Sequence, residues 1–196
     1  MQIAHITRNK RLVEFSRYGG ILAIILEWFA VLFFHVRTNE GLKGNQPISY
    51  YSTLPETRLV FSLCFGLAAA SFWIFVVGHL RNKLTTPTRL FSFAALGLLG
   101  IALIPYHPKN QVSNLLHISI AYLMTLGFLF GIYGLAKRNK DKILRKNSIM
   151  LVALGAILAA AMSVLPRSIT WVVMQILLGM LIQIWIIWIT FYDPKP

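Results

Sequence analysis

The sequence predicts an all-α integral membrane bundle of six transmembrane helices with both termini cytoplasmic. Three observations carry that expectation. The 196-residue chain is 57% apolar and only 13% charged, whereas soluble domains are about 45–50% apolar and about a quarter charged. Its apolar residues gather in six long runs. Its 19 Lys and Arg, against 6 Asp and Glu, concentrate in alternate connections between those runs. A surface so poor in charge must face lipid, which excludes a soluble enzyme or binding module. The basic excess is expected to meet anionic headgroups, and no nucleic-acid partner is implied.

A hydrocarbon core of about 30 Å needs roughly 17–25 apolar residues per helix. The runs that meet or approach this are Gly19–Val36, Leu59–Leu80, Leu90–Ile104, Val112–Leu135, Ser148–Leu165 and Ile169–Tyr192. Together they predict a single transmembrane domain over residues 1–196. Pro105 and Pro166 stop the third and fifth runs, because proline has no N–H to continue a helix. The first run is too long for a signal peptide's apolar region and lacks a small-residue cleavage pattern after it, so it is expected to remain as a span. Cys64 is the one cysteine and lies within the second run, so there is neither a disulfide framework nor a Cys-based metal knuckle.

Orientation follows from the basic residues, which cytoplasmic connections retain. Arg8, Lys10, Arg11 and Arg17 precede the first run; Arg81, Lys83 and Arg89 flank the second connection; Lys137, Arg138, Lys140, Lys142, Arg145 and Lys146 crowd the fourth; Lys195 lies in the tail. The opposite side holds only Arg37, Lys43, Arg58, Lys109 and Arg167. Both termini are therefore expected in the cytoplasm, and a plasma membrane is the expected location. The basic fourth connection has enough cations to contact anionic lipid.

Small residues let helix backbones approach in lipid. Gly97 and Gly100 in the third run, Gly127, Gly131 and Gly134 in the fourth, and Gly155, Ala156, Ala159, Ala160 and Ala161 in the fifth are expected to form helix seams. Tyr18, Trp73, Trp171, Trp185, Trp188 and Tyr192 lie mostly near span ends and are expected to anchor at the interface.

Polar residues inside the spans mark candidate sites. Glu27 lies midway along the first run and is the only acid within any run. An ionisable group there costs about 2.5–3.5 kcal/mol to insert and is a functional-site hypothesis by default. It is expected to be neutral and to donate a hydrogen bond, with Gln183 at similar depth as its structural partner. A second group lies toward the outer side: Ser113, Asn114 and His117 share a helical face, and Gln175, Gly179 and Gln183 follow at four-residue spacing. Near the mouth come His35, Glu56, Arg58, His107 and Arg167. The expected ligand-binding set is His117, Asn114, Glu56, Arg58, Ser49, Gln175 and Glu27.

His35, His107, His117 and Glu56 have the atom types for zinc, and His35 with His117 those for haem. Their spacing matches no metal motif, and no HExxH, Cys pair, Ser-His-Asp set or phosphate loop is present. No metal and no cofactor are therefore expected.

The stretch Pro47-Ile48-Ser49, then Pro55-Glu56 and Phe61 at a helix start, resembles a feature of the Frag/DRAM/Sfk family, with Tyr50 where that family usually has Asp. The third span, a polar outer connection and then His117 inside the fourth span form a second likeness. The bacterial domain-of-unknown-function family 998 is similar in the same two places. The resemblance implies a six-helix membrane protein linked to lipids, whose relatives take part in GPI-anchor lipid remodelling, phosphoinositide kinase organisation and autophagy control. Ser49, Glu56 and His117 fall on its features.

The first functional expectation is a non-enzymatic protein that binds membrane lipid or another amphiphile, or scaffolds a partner, through an outward-facing polar pocket. A homo-oligomer or a membrane-protein partner is compatible with it. The second is a lipid-modifying enzyme using His117 with Glu56 or His35. The third is a small proton- or cation-coupled transporter or channel using Glu27.

Overall fold

A computed structural model of the chain describes residues 14–38, 47–81, 88–107, 109–165 and 169–192, with the backbone alone for 169–171. The helices are α1 (Gly19–Thr38), α2 (Pro55–Ile74, continued by a π-helical turn over Phe75–Leu80), α3 (Thr88–Leu103), α4 (Gln111–Arg138), α5 (Lys142–Val164) and α6 (Ile169–Phe191). A 3-10 turn, Ile48–Ser52, precedes α2. Among the described residues, five helices are long and apolar enough to cross a membrane. The sixth, α3, has 16 residues and reaches only about 24 Å at 1.5 Å per residue.

Local signals set the helix ends. Pro55 occupies the first turn of α2, where its missing N–H costs nothing. The Asn110 side chain accepts from Ser113 N at the start of α4. Asp141 Oδ1 accepts from Ile143 N and Leu144 N at the start of α5, so α5 begins at Lys142 rather than at Ser148. At the far end of α6 the Tyr192 hydroxyl donates to Asp141 Oδ2, tying that end to the α5 cap.

Each helix packs against its neighbours in sequence, and α6 returns to α1 through a sparser seam. Glycines make the tight contacts. A methyl at Gly97 would lie 2.7 Å from Met124 Cβ, and one at Gly155 2.7 Å from Leu129 Cδ2. Of the small residues in α5, Gly155 faces a neighbour while Ala156 and Ala160 are exposed.

Trp185 is not an interface anchor. It is fully buried, stacks on Phe91 with centroids 5.6 Å apart and donates Nε1–H to Ser148 Oγ at 3.1 Å. A buried indole needs such an acceptor, and Ser148, itself fully buried, supplies it. Trp73 and Tyr18 are exposed, as anchors are; the Trp171 side chain lies outside the described residues. The main core joins Phe72, Phe75, Phe91, Phe128, Ile132, Leu144, Trp185 and Ile189, at the end of the bundle that carries the α2–α3 and α4–α5 connections. A smaller cluster of Ala30, Phe34, Tyr51, Phe61, Cys64 and Ile101 occupies the opposite end.

Candidate functional site: a cavity at one end of the bundle

Beside that smaller cluster the bundle is not filled. A cavity of about 420 Å³ lies between the helices and takes lining residues from all six. Pro47, Ile48, Ser49, Tyr106 and Leu165 place it toward the α1–α2, α3–α4 and α5–α6 connections. Its walls are chiefly apolar and aromatic, including Trp28, Phe61, Phe65, Tyr122, Met124 and Met162. A Cβ added at Gly179 would meet no atom within 4 Å, so this glycine borders open space instead of a neighbouring helix.

One polar group lies at the inner end of the cavity. Trp28 Nε1 donates to Gln183 Oε1 at 2.8 Å, and Gln183 Nε2 donates to Glu27 Oε2 at 2.7 Å. The order of donors is forced, because an indole N–H only donates, so the amide oxygen must face Trp28 and the amide nitrogen must face Glu27. Glu27 is therefore the acceptor in its bond to Gln183, not the donor that burial of an acid suggested. Its other oxygen, Oε1, makes no hydrogen bond to a described residue, and Glu27 lines the cavity. These bonds join α1 to α6 across the sparse seam.

The second polar group lies nearer the connections. His117 is buried, and its Nδ1 lies 2.6 Å from the Ile104 carbonyl oxygen. That carbonyl is past the last turn of α3, and the residue four positions on, Pro108, has no N–H to offer. Since a carbonyl only accepts, Nδ1 donates and the neutral ring keeps Nε2 as its acceptor. Ser113 Oγ caps the next carbonyl, Pro105 O, at 2.9 Å. The Tyr106 ring meets His117 edge-on at 5.9 Å, while Tyr106 N donates to Ser52 Oγ, which donates to Ser49 O. The 3-10 turn and the α3–α4 connection thus hold one another and the histidine in place. Gln175 Oε1 is buried without a partner and Gln175 lines the cavity.

Of the seven residues expected to bind a ligand, Glu27, Ser49, His117 and Gln175 line this cavity. Asn114 does not line it, although its Oδ1 is also buried and unpartnered. Glu56 and Arg58 are exposed on the first turns of α2. The residue between them explains this: Thr57 is fully buried and its Oγ1 donates to Tyr51 O at 2.5 Å, so its neighbours, about 100° to either side, are turned outward. His35 is half-buried away from the cavity and His107 is exposed, so His117 has neither Glu56 nor His35 beside it there. Among the described residues no three His, Cys, Asp or Glu side chains are grouped to hold a metal. Arg167 lies outside the described residues. Trp28, Ser52, Tyr106 and Tyr122 are site residues that the sequence pattern did not single out. The position of Trp28 beside Glu27 was the available signal for the first of them.

The family model described as "Protein of unknown function (DUF998)" matches residues 21–192, a stretch that takes in α2 to α6 whole and nearly all of α1. The chain belongs to the DUF998 family. No curated protein and no solved structure gives a significant match. The family match of this DUF998 protein does not extend to the Frag/DRAM/Sfk family. The apolar helices and the family together make it a multi-pass integral membrane protein.

Proposed function

We propose that this protein binds an amphiphilic small molecule or lipid-derived ligand in the cavity, without transforming it. The observation that carries this reading is the cavity itself: about 420 Å³, inside the roughly 300–1,000 Å³ range of small-molecule sites. It is apolar along its walls, with polar groups at two levels. Gln175 and Gln183 are eight residues apart on α6, which separates those levels by about 12 Å. An apolar body with a polar group at one or both ends fits that pattern.

In this reading α3 completes six spans within a single domain, with both termini cytoplasmic and the cavity toward the outer side of a plasma membrane. The placement of Lys and Arg supports it. Exposed Lys137, Arg138, Lys142, Arg145 and Lys146 flank the α4–α5 connection, at the end of the bundle opposite the cavity. These cations sit where they attract anionic headgroups, each by about 1 kcal/mol.

The test is native mass spectrometry of gently solubilised protein beside the Gly179→Leu variant, whose side chain enters open space. A bound small amphiphile on the natural protein and its loss from the variant is the expected result. Equal adducts on both proteins would place the bound molecules elsewhere and defeat the reading.

A further inference from the structure

We infer that the cavity selects a hydrophobic amine, whose protonated nitrogen docks on Glu27. The inference rests on the binding role proposed for this cavity and names the chemistry of its ligand. Three hydrogen-bond acceptors are left free among the described residues around the cavity. Glu27 Oε1 has no hydrogen-bond partner among the described residues, Gln175 Oε1 is buried and unpartnered, and His117 keeps Nε2 as an acceptor because Nδ1 is directed at Ile104 O. Several donors that line the cavity are already committed: Trp28 to Gln183, Gln183 to Glu27, Thr125 Oγ1 to Ala121 O and Ser163 Oγ to Ala159 O. A ligand that brings donors of its own satisfies these three acceptors.

Charge narrows the class further. The protein carries a formal charge of +13, yet among the described residues no Lys or Arg lines the cavity and Glu27 is the one acidic residue that does. A phosphate or carboxylate headgroup would enter with no cation to meet it, at the desolvation cost of a buried unpaired charge. A small hydrated metal ion would find one carboxylate where such ions take six or more oxygens. A protonated amine needs one carboxylate, and an apolar or aromatic body satisfies the rest of the lining. Trp28, at the same level as Glu27, adds an aromatic face of the kind that attracts cations.

The probes are 2-(1-naphthyl)ethylamine, its neutral counterpart 2-(1-naphthyl)ethanol and the anion 1-naphthylacetate, titrated calorimetrically into the full chain in nanodiscs of neutral lipid at pH 7. The amine is expected to bind about 10- to 100-fold more tightly than the alcohol, the advantage of a hydrogen bond to a charged group, and the acetate more weakly than either. Glu27→Gln retains an oxygen to accept from Gln183, so it keeps the fold, and it should bring the amine down to the affinity of the alcohol. An amine no tighter than the alcohol, or a preference for amine that survives Glu27→Gln, overturns the inference while leaving the cavity as a binding site. Failure of all three probes, or binding unchanged by Gly179→Leu, overturns the binding role and this inference together.

Discussion

A single methyl group placed at two helix glycines distinguishes an open cavity from a packed seam. In a helix interior, replacing glycine by alanine gains about 1 kcal/mol from backbone entropy. At Gly179 the new Cβ meets nothing within 4 Å, so Gly179→Ala should keep that gain in full. At Gly97 the new Cβ would sit 2.7 Å from Met124 Cβ and 3.2 Å from Met124 Cα. Those atoms are fixed to the backbone of α4, so α3 and α4 must separate, and overpacking of that kind costs about 1–3 kcal/mol. The net effect of Gly97→Ala then runs from neutral to about 2 kcal/mol destabilising. At about 2–4 °C per kcal/mol for a chain of this size, Gly179→Ala should raise the midpoint by about 2–4 °C and Gly97→Ala should lower it by up to about 8 °C. The assay is intrinsic: Cys64 is the one cysteine and is buried, so a fluorogenic maleimide reports unfolding as the thiol becomes accessible. A midpoint for Gly179→Ala at or below that of Gly97→Ala would refute the open space beside α6.

Trp28→Phe leaves the Gln183 amide oxygen without its donor and should destabilise the protein by about 1–3 kcal/mol, read by the same thiol assay; an unchanged midpoint would show that the α1–α6 seam does not depend on this bond. Glu27→Gln should leave membrane abundance and melting nearly unchanged, because the acceptor toward Gln183 survives, and a marked loss would count against the bond order described. His117→Leu should destabilise the protein by about 1 kcal/mol through loss of the cap on Ile104, with His117→Gln, which still offers an N–H, recovering part of it. Trp185→Phe should cost about 1–3 kcal/mol, and adding Ser148→Ala should cost little more, since the partner hydroxyl is already unpaired; additive losses would deny the contact.

The long helices were legible because an apolar run and a stopping proline are local features. The first two turns of α5 were not. Lys142, Arg145 and Lys146 are exposed while Leu144 is buried, so counting apolar residues misses a helical segment that Asp141 caps. The role of Trp185 depends on Ser148, 37 residues away, and no sequence spacing marks such a pair. The candidate site was legible in part: Glu27, His117 and Gln175 stand out as polar groups in apolar runs, and they line the cavity. Glu56 and Arg58 stood out only as charges just before the second run, and they face outward because the buried Thr57 between them sets the rotation of the helix. A polar residue at a helix end can satisfy itself in water, so its polarity carries less information than that of a residue at mid-span.

The two ends of the bundle differ in what fills them, and that difference bears on function. At the end carrying the α2–α3 and α4–α5 connections, large side chains from α2, α3, α4, α5 and α6 meet in one buried cluster. At the other end the buried cluster draws on α1, α2, α3 and the 3-10 turn alone, while α5 and α6 present Ala159 and Gly179 to open space. Larger residues at those two positions would narrow that space. The hydrogen bonds from Trp28 through Gln183 to Glu27 lie where the filled and unfilled parts meet, on the seam with the least packing to support it. Burying a carboxyl there costs energy that apolar packing would not. A chain serving only as a membrane-spanning scaffold gains nothing from that cost, whereas a chain that receives a ligand gains a polar contact at the floor of an apolar cavity.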